Sequence, residues 1–324
     1  MRGFSITLTL LVLLSACNGR SPLLPRSGGR PYEVLIVGDK DSLLHRALNG
    51  NVNGLPQPEP LFDISTTDKE HFNQTAKLAR NIVILDVDAN KYTQTRIRYD
   101  QNVYAEPQLI AYVHTPSVAD LNQDMTFFAP RLNNLLAKAE FSRETNNLKR
   151  NHNVKAEEEI RKMFGCEMLV PSDLMFIKKG KDFIWISNNS AHGMKNIVLF
   201  LPNESMEKRG ESIGTITDSA LKANIPGEED GMYMQLAHHK FLNPDNTFAN
   251  EPDPHVTCAL PSYTEWRGLW EMKGDAMGGP IFIRKFTSGK NRKTFFGMAF
   301  IYAPDMKKRN MMRQLEAALS TLKE

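Results

Sequence analysis

The sequence predicts an α+β protein made of two related lobes of mostly antiparallel sheet flanked by helices. Short apolar runs bounded by Gly, Pro or Asn read as strands, and between them lie segments with apolar residues at the 3.6-residue period of a helix. The strand-then-helix pattern of the first half is echoed in the second, which points to an internal duplication. The composition agrees with a globular body. Of 324 residues, 41% are hydrophobic and 24% charged, which excludes collagen, coiled-coil rods and wholly disordered chains. That length suits about two domains. Forty Lys and Arg against 37 Asp and Glu leave a net charge of +3, without the basic excess of a dedicated nucleic-acid binder.

The first lobe is expected over residues 32–150. Residues 34–37 (VLIV) form a short buried strand ended by Gly38, and 41–48 a helix with Asp41 as N-cap. A Pro-punctuated loop leads to a strand at 61–64, a helix over 68–80 and a strand at 81–85. Residues 108–113 form another strand, stopped by Pro116. After Pro130, the spacing of Leu132, Leu135, Leu136 and Ala139 marks an amphipathic helix.

The second lobe is expected over residues 151–324. Ala156, Ile160, Met163 and Phe164 line one face of a helix that Gly165 closes. Strands are predicted at 167–170, 174–178 and 183–187, the last two joined by the turn Lys179-Gly180-Lys181. Residues 196–200 (NIVLF) repeat the character of 81–85 (NIVIL), and 299–305 that of 111–117. The second copy then carries an insertion at about 205–280, where a function is most naturally sought, because loops on a rigid scaffold carry binding and catalytic groups. Met312, Leu315, Leu319 and Leu322 mark a final helix.

The N-terminus carries an address. Arg2 precedes an apolar run over residues 6–14, and Leu14-Ser15-Ala16-Cys17 follows. The run is shorter than the roughly 20 residues that span a bilayer, so it reads as the core of a signal peptide over residues 1–16. The Leu-Ser-Ala-Cys sequence resembles the lipobox of bacterial lipoproteins, a resemblance that implies cleavage before Cys17 and acylation of that cysteine. Two or more acyl chains make a lasting membrane anchor. Residues 17–31, rich in Gly, Ser, Pro and Arg, are too polar to fold and serve as a flexible tether. Its charges are Arg20, Arg26 and Arg30, with no acid. Surface export of Bacteroidetes lipoproteins resembles an acidic code after the cysteine, so its absence implies a protein facing the periplasm.

The densest chemistry lies in the insertion. Trp266, Arg267, Trp270, Glu271, Lys273 and Asp275 form a candidate binding patch, because Trp and Arg supply large contact area and stackable charge. Gly274, Gly278 and Gly279 permit tight turns or close backbone approach. The competing reading packs both tryptophans into the core of a strand pair. The stretch WRGLWEMKGDAMGGP, following a lipobox, resembles a Bacteroidetes lipoprotein family of unknown function. That resemblance implies an envelope location and no mechanism.

No metal site, cofactor or catalytic residue is predicted. Cys166 and Cys258 are read as buried thiols, with a disulfide or a nucleophile as alternatives. His238 and His239 are adjacent, so on a strand they point to opposite faces. Asp86 and Asp88 read as turn acids, and Glu157, Glu158 and Glu159 as acids favoured by a helix N-terminus. The function expected is a non-catalytic binding or scaffold lipoprotein of the cell envelope. It is held to a membrane by its lipid and partnered by an envelope protein or a glycan, not by nucleic acid. The alternative is an envelope hydrolase acting on a glycan or peptide, for which Glu265, Glu271, Asp275 and His255 are the residues to test.

Overall fold

The computed structural model describes residues 23–203, 205–206, 209, 212–227, 229–237, 264–287 and 294–323. Two sheets organise them. The first contains β1 (Glu33–Val37), β2 (Asp63–Thr67), β3 (Asn81–Val87), β4 (Arg96–Gln101) and β5 (Leu109–Thr115), in the order β2-β1-β3-β5-β4. Helices α1 (Leu43–Leu48) and α2 (Val118–Arg150) bury Leu44, Leu121, Leu132 and Leu136 against Ile36, Val83, Ala111 and Val113. Each of the Leu, Ile and Val side chains contributes about 1.5–3 kcal/mol on full burial.

The second sheet has seven strands: β6 (Phe176–Lys179), β7 (Phe183–Ser187), β8 (Met194–Phe200), β9 (Tyr233–Leu236), β10 (Thr264–Lys273), β11 (Gly278–Thr287) and β12 (Thr294–Tyr302). Their order is β6-β7-β8-β12-β11-β10-β9, antiparallel throughout. Helices α3 (Val154–Phe164) and α5 (Arg309–Ser320) cover one face, burying Ile160, Leu315 and Leu319 against Ile197, Phe282 and Ala299. Helix α4 (Ile213–Asn224) packs Ile216 and Leu221 on the other, beside Trp270, Ile283 and Met298.

The α+β class and the two sheets match expectation; several details differ. In the first sheet β2, β1, β3 and β5 run parallel, and only β4, which was not predicted, is antiparallel. The echoed strands are neighbours in both sheets, yet β3 and β5 are parallel whereas β8 and β12 are antiparallel. The repeat is thus one of strand composition, and the two sheets do not share a topology. The described part of the insertion supplies α4, β9 and β10, integral pieces of the second sheet.

Local chemistry explains the displaced helices. Residues 68–80 form turns with a short 3-10 turn at Ala76–Leu78, because the Asn73 side chain accepts from the amides of Thr75 and Ala76, each at 3.0 Å. The Asp39 carboxylate, rather than Asp41, accepts from the amides of Leu43 and His45 at 2.9 and 2.8 Å. Helix α2 starts well before Pro130, at Ser117, whose hydroxyl accepts from Asp120 N at 3.1 Å, and it accommodates Pro130 in its interior. The stretch 167–170 makes only an isolated bridge, Glu167 to Lys323.

Helix α5 is where the lobes meet. Its N-cap position, Lys308, supplies no side-chain cap. The buried Glu59 of the first lobe does so instead: Oε1 accepts from Lys308 N at 2.7 Å and Oε2 from Arg309 N at 2.9 Å. A carboxylate at a helix N-terminus satisfies orphan amides and opposes the positive end of the helix dipole. The Arg309 guanidinium donates to Pro60 O at 2.7 Å and Asp63 Oδ2 at 2.6 Å, completing the joint.

Candidate site at the lobe junction

Strand β10 divides the predicted patch. Side chains alternate across a sheet, so Trp266 and Trp270 turn to the α4 face while Glu265 and Arg267 turn to the α5 face. Trp270 is 3% exposed, its indole Nε1 donating to Ile301 O at 3.1 Å, and Trp266 packs half-buried on the same cluster. Gly279 lies opposite Trp270 because nothing larger fits: a Cβ there would sit 2.0 Å from Ile301 O. Gly274 takes φ +93° in the β10–β11 turn. Glu271 accepts from Gln235 Nε2 at 2.8 Å, and exposed Asp275 accepts from Ala276 N at 2.6 Å. Lys273 is exposed on the same turn. Trp270, Glu271 and Asp275 border an open groove beside that turn, whereas Arg267 faces a different space. The six residues therefore do not make one surface.

The space that Arg267 faces is a cavity of about 180 Å³ between the lobes. Its second-lobe wall follows from register. Glu265 on β10 stands opposite Arg284 on β11, and Arg267 opposite Phe282. Helix α5 brings Arg313 and Glu316, three residues apart on one face, onto the same space. The Arg284 guanidinium pairs closely with Glu265, and Arg267 with Glu316 Oε1, while Arg313 Nη1 donates to Glu316 Oε2 at 2.8 Å. All five side chains are buried. The Arg267 and Arg284 guanidiniums lie 4.8 and 5.6 Å from the Phe282 ring centroid.

The first-lobe wall comes from Tyr32, just before β1, and from α2. Phe141 is half-buried, and Lys138 and Ser142 stand exposed at the mouth. Burial pushes Glu316 up, but the Arg267 and Arg313 charges outweigh it and pull the carboxyl down to about 2. Burial pushes the Tyr32 hydroxyl well above its usual range, so it stays protonated and able to donate at neutral pH.

Of the hydrolase candidates, Glu271 and Asp275 border one open groove, Glu271 bonded to Gln235 and Asp275 to its own turn, while Glu265 is paired with Arg284 at the cavity; His255 lies outside the described residues. So do Cys17, Cys258, His238 and His239. Burial pushes the Cys166 thiol up to about 12, leaving no thiolate at neutral pH. Asp86 accepts from Lys69 at 2.8 Å and from the Tyr92 hydroxyl at 2.7 Å. Among the described residues no group of three or more His, Cys, Asp or Glu side chains is placed to hold a metal ion. No helix among them is long and apolar enough to cross a membrane.

Sequence reasoning missed Tyr32, Phe282, Arg284, Arg313 and Glu316. Arg309, Arg313, Glu316 and Ser320 do form a polar stripe on α5 alongside the apolar one of Met312, Leu315 and Leu319. Such a stripe reads as a solvated face until a second lobe is known to cover it.

Residues 27–149 match the family described as Domain of unknown function (DUF8532). No curated protein matches the chain. Residues 153–321, more than half of the chain, match the family described as Domain of unknown function (DUF4837), and the protein belongs to that family.

Proposed function

We propose that the protein is a membrane-anchored lipoprotein of the bacterial cell envelope with a non-catalytic binding role, and that the cavity between its lobes is the binding site. The anchor rests on Leu14-Ser15-Ala16-Cys17, and the acidless stretch after it sets the body at the periplasmic side of a membrane. Of the expected tether 17–31, residues 25–28 are bonded to the first lobe, Ser27 N donating to Glu106 O at 3.0 Å and Gly28 N to Leu78 O at 2.8 Å, so the tether is shorter than expected. Lys273 and Asp275, exposed on the β10–β11 turn, offer a separate surface to an envelope protein or glycan.

The observation that carries the binding role is five buried charged side chains set around about 180 Å³ of space. A cavity forfeits dispersion contacts, so ionic groups placed around one are poorly explained by stability alone. A concave space with convergent polar groups is where small ligands bind. Binding is favoured over hydrolysis of a glycan or peptide because a general acid needs a raised carboxyl pKa. Glu316 is held at about 2 instead.

Two measurements test this reading. Radiolabelled palmitate should enter the full chain in cells and be lost in Cys17→Ala; unlabelled protein with its leader uncut overturns the anchor. Fluorine NMR of the full chain with para-fluorobenzoate, para-fluorobenzamide and para-fluorobenzylamine should show saturable binding of at least one probe, abolished by Ser142→Trp at the mouth. Binding by none of the three, or binding indifferent to that substitution, removes the cavity as the site.

A further inference from the structure

Taking the cavity as the binding site, we infer that its occupant is an uncharged molecule about one ring in size, its body against the aromatic wall and a carbonyl-type oxygen accepting a hydrogen bond from the Tyr32 hydroxyl. Three observations lead there.

The first is that the charge around the cavity is already committed. Arg284 is paired with Glu265, and Arg267 and Arg313 hold the two oxygens of Glu316. An anion would have to draw guanidiniums away from these carboxylates, and a cation would have to draw the carboxylates away from the guanidiniums. Either would leave its hydration behind and meet no buried countercharge that is not already paired. The Lys138 ammonium is exposed and screened by water, so it offers an anion little in exchange. A neutral molecule leaves every pair as it stands.

The second is Tyr32. It lines the cavity and is 4% exposed, yet no group among the described residues makes a hydrogen bond with its hydroxyl. The hydroxyl lies within electrostatic reach of Arg313 and Glu316, both lining residues, which puts it on the cavity side of the ring. The rest of the residue is held firmly. The ring stacks on Phe62 at 6.3 Å between centroids, the Arg309 guanidinium sits 5.6 Å from its centre, and the backbone takes φ +66°, a region that bulky residues seldom adopt. A buried donor without a partner costs stability, and a ligand oxygen set against it removes that cost. Ser320, also on the wall, gives its proton to Ala317 O at 2.7 Å, and Ser142 is exposed. Tyr32 is thus the buried lining donor that the described fold leaves unspent.

The third is the apolar wall and its size. Phe282, 1% exposed, faces Phe141 and Ala137 of α2 across about 180 Å³ of space. A dry engineered cavity of about 150 Å³ accepts benzene, so one ring or its aliphatic equivalent fits here and a drug-sized molecule does not.

The test compares para-substituted fluorobenzenes on the full chain by fluorine NMR. Para-fluorobenzamide, neutral and carrying a carbonyl, should bind at least about tenfold more tightly than para-fluorobenzoate or para-fluorobenzylamine. Tyr32→Phe removes only the hydroxyl. It should weaken the benzamide by about threefold to tenfold and leave para-fluorotoluene, which has no acceptor, unchanged. The urea midpoint of this variant should not fall, because the fold makes no bond to the lost group. Benzoate or benzylamine binding as tight as the benzamide overturns the inference while leaving the cavity as a binding site. So does a benzamide affinity indifferent to Tyr32→Phe, a loss shared equally by the toluene, or a lowered midpoint. Silence of the benzamide, the benzoate and the benzylamine removes the site itself.

Discussion

Two clusters of buried charge, one inside the first lobe and one at the junction of the lobes, are both built on a carboxylate held by arginines and differ in what surrounds them. In the first lobe, the 2%-exposed Glu140 is enclosed. Its oxygens accept from Arg80 Nε and Nη2 at 2.9 and 2.8 Å, from Arg143 Nη1 at 2.7 Å and from Asn81 Nδ2 at 2.6 Å. Arg143 also donates to Asn81 Oδ1 at 2.7 Å and Arg80 O at 3.0 Å, pinning α2 to the head of β3. Around Glu316 the arginines are as closely held, but the cluster borders a cavity. Buried charge is therefore no signature of a functional site by itself. The adjoining space separates a structural clamp from a receptive site.

The largest expected effect breaks the closed member of the pair. Glu140→Ala leaves two largely buried guanidiniums without their carboxylate and should cost about 3 kcal/mol, read as a lowered midpoint in urea unfolding. A loss below about 1 kcal/mol would mean that water reaches this cluster, and the contrast between the two regions would disappear.

At the open member the effect is tied to pH. Glu316 has its carboxyl lowered from 4.5 to about 2 in the folded protein. Its contribution is thus fully present above about pH 4.5 and lost as the pH falls toward 2. The shift corresponds to about 3 kcal/mol. The unfolding free energies of the wild type and Glu316→Gln should differ most near neutral pH and converge as acid neutralises the native carboxylate. A gap that stays constant down to about pH 2 would show that Glu316 is not held by charge.

How much of this was legible in the sequence follows from the range of the interactions. Elements fixed by neighbours in the chain were readable. Helix α3 ends at Gly165 with φ +69°, and β7 occupies the predicted 183–187. What the sequence hid was non-local. Glu59 caps a helix 249 residues away, and Arg267 meets Glu316 across 49 residues. Parallel pairing of β1 with β3 leaves no turn between partners to announce it. The tryptophans of β10 and Arg267 read as neighbours in the sequence, but alternation along the strand turns the tryptophans to the α4 face and Arg267 to the cavity.

A third buried acid sharpens the comparison at smaller amplitude. Glu59 uses its charge on two peptide amides of α5 and does not line the cavity that Glu316 borders. Glu59→Ala should cost about 1–2 kcal/mol, the value of a helix cap, and Glu59→Gln roughly half of that, since an amide oxygen still accepts one bond. Thermal unfolding of the two variants measures the difference. Equal losses would assign the effect to packing at the joint and not to the helix end.

The smallest expected effect is the one that best separates a receptive site from a clamp. Lys138 is exposed and lines the cavity. Lys138→Met should therefore change the unfolding free energy by less than about 0.5 kcal/mol. An uncharged ligand gives the ammonium nothing to attract, so wild type and variant should bind para-fluorobenzamide within about twofold of each other, and raising the salt from about 0.05 to 0.5 M should change neither affinity. Tyr32 acts through a hydrogen bond between neutral groups, and its contribution should persist at both salt concentrations. A benzamide affinity that depends on Lys138 and falls with salt would show that the ligand is held by charge at the exposed rim, and the distinction between the cavity's walls and its mouth would fall.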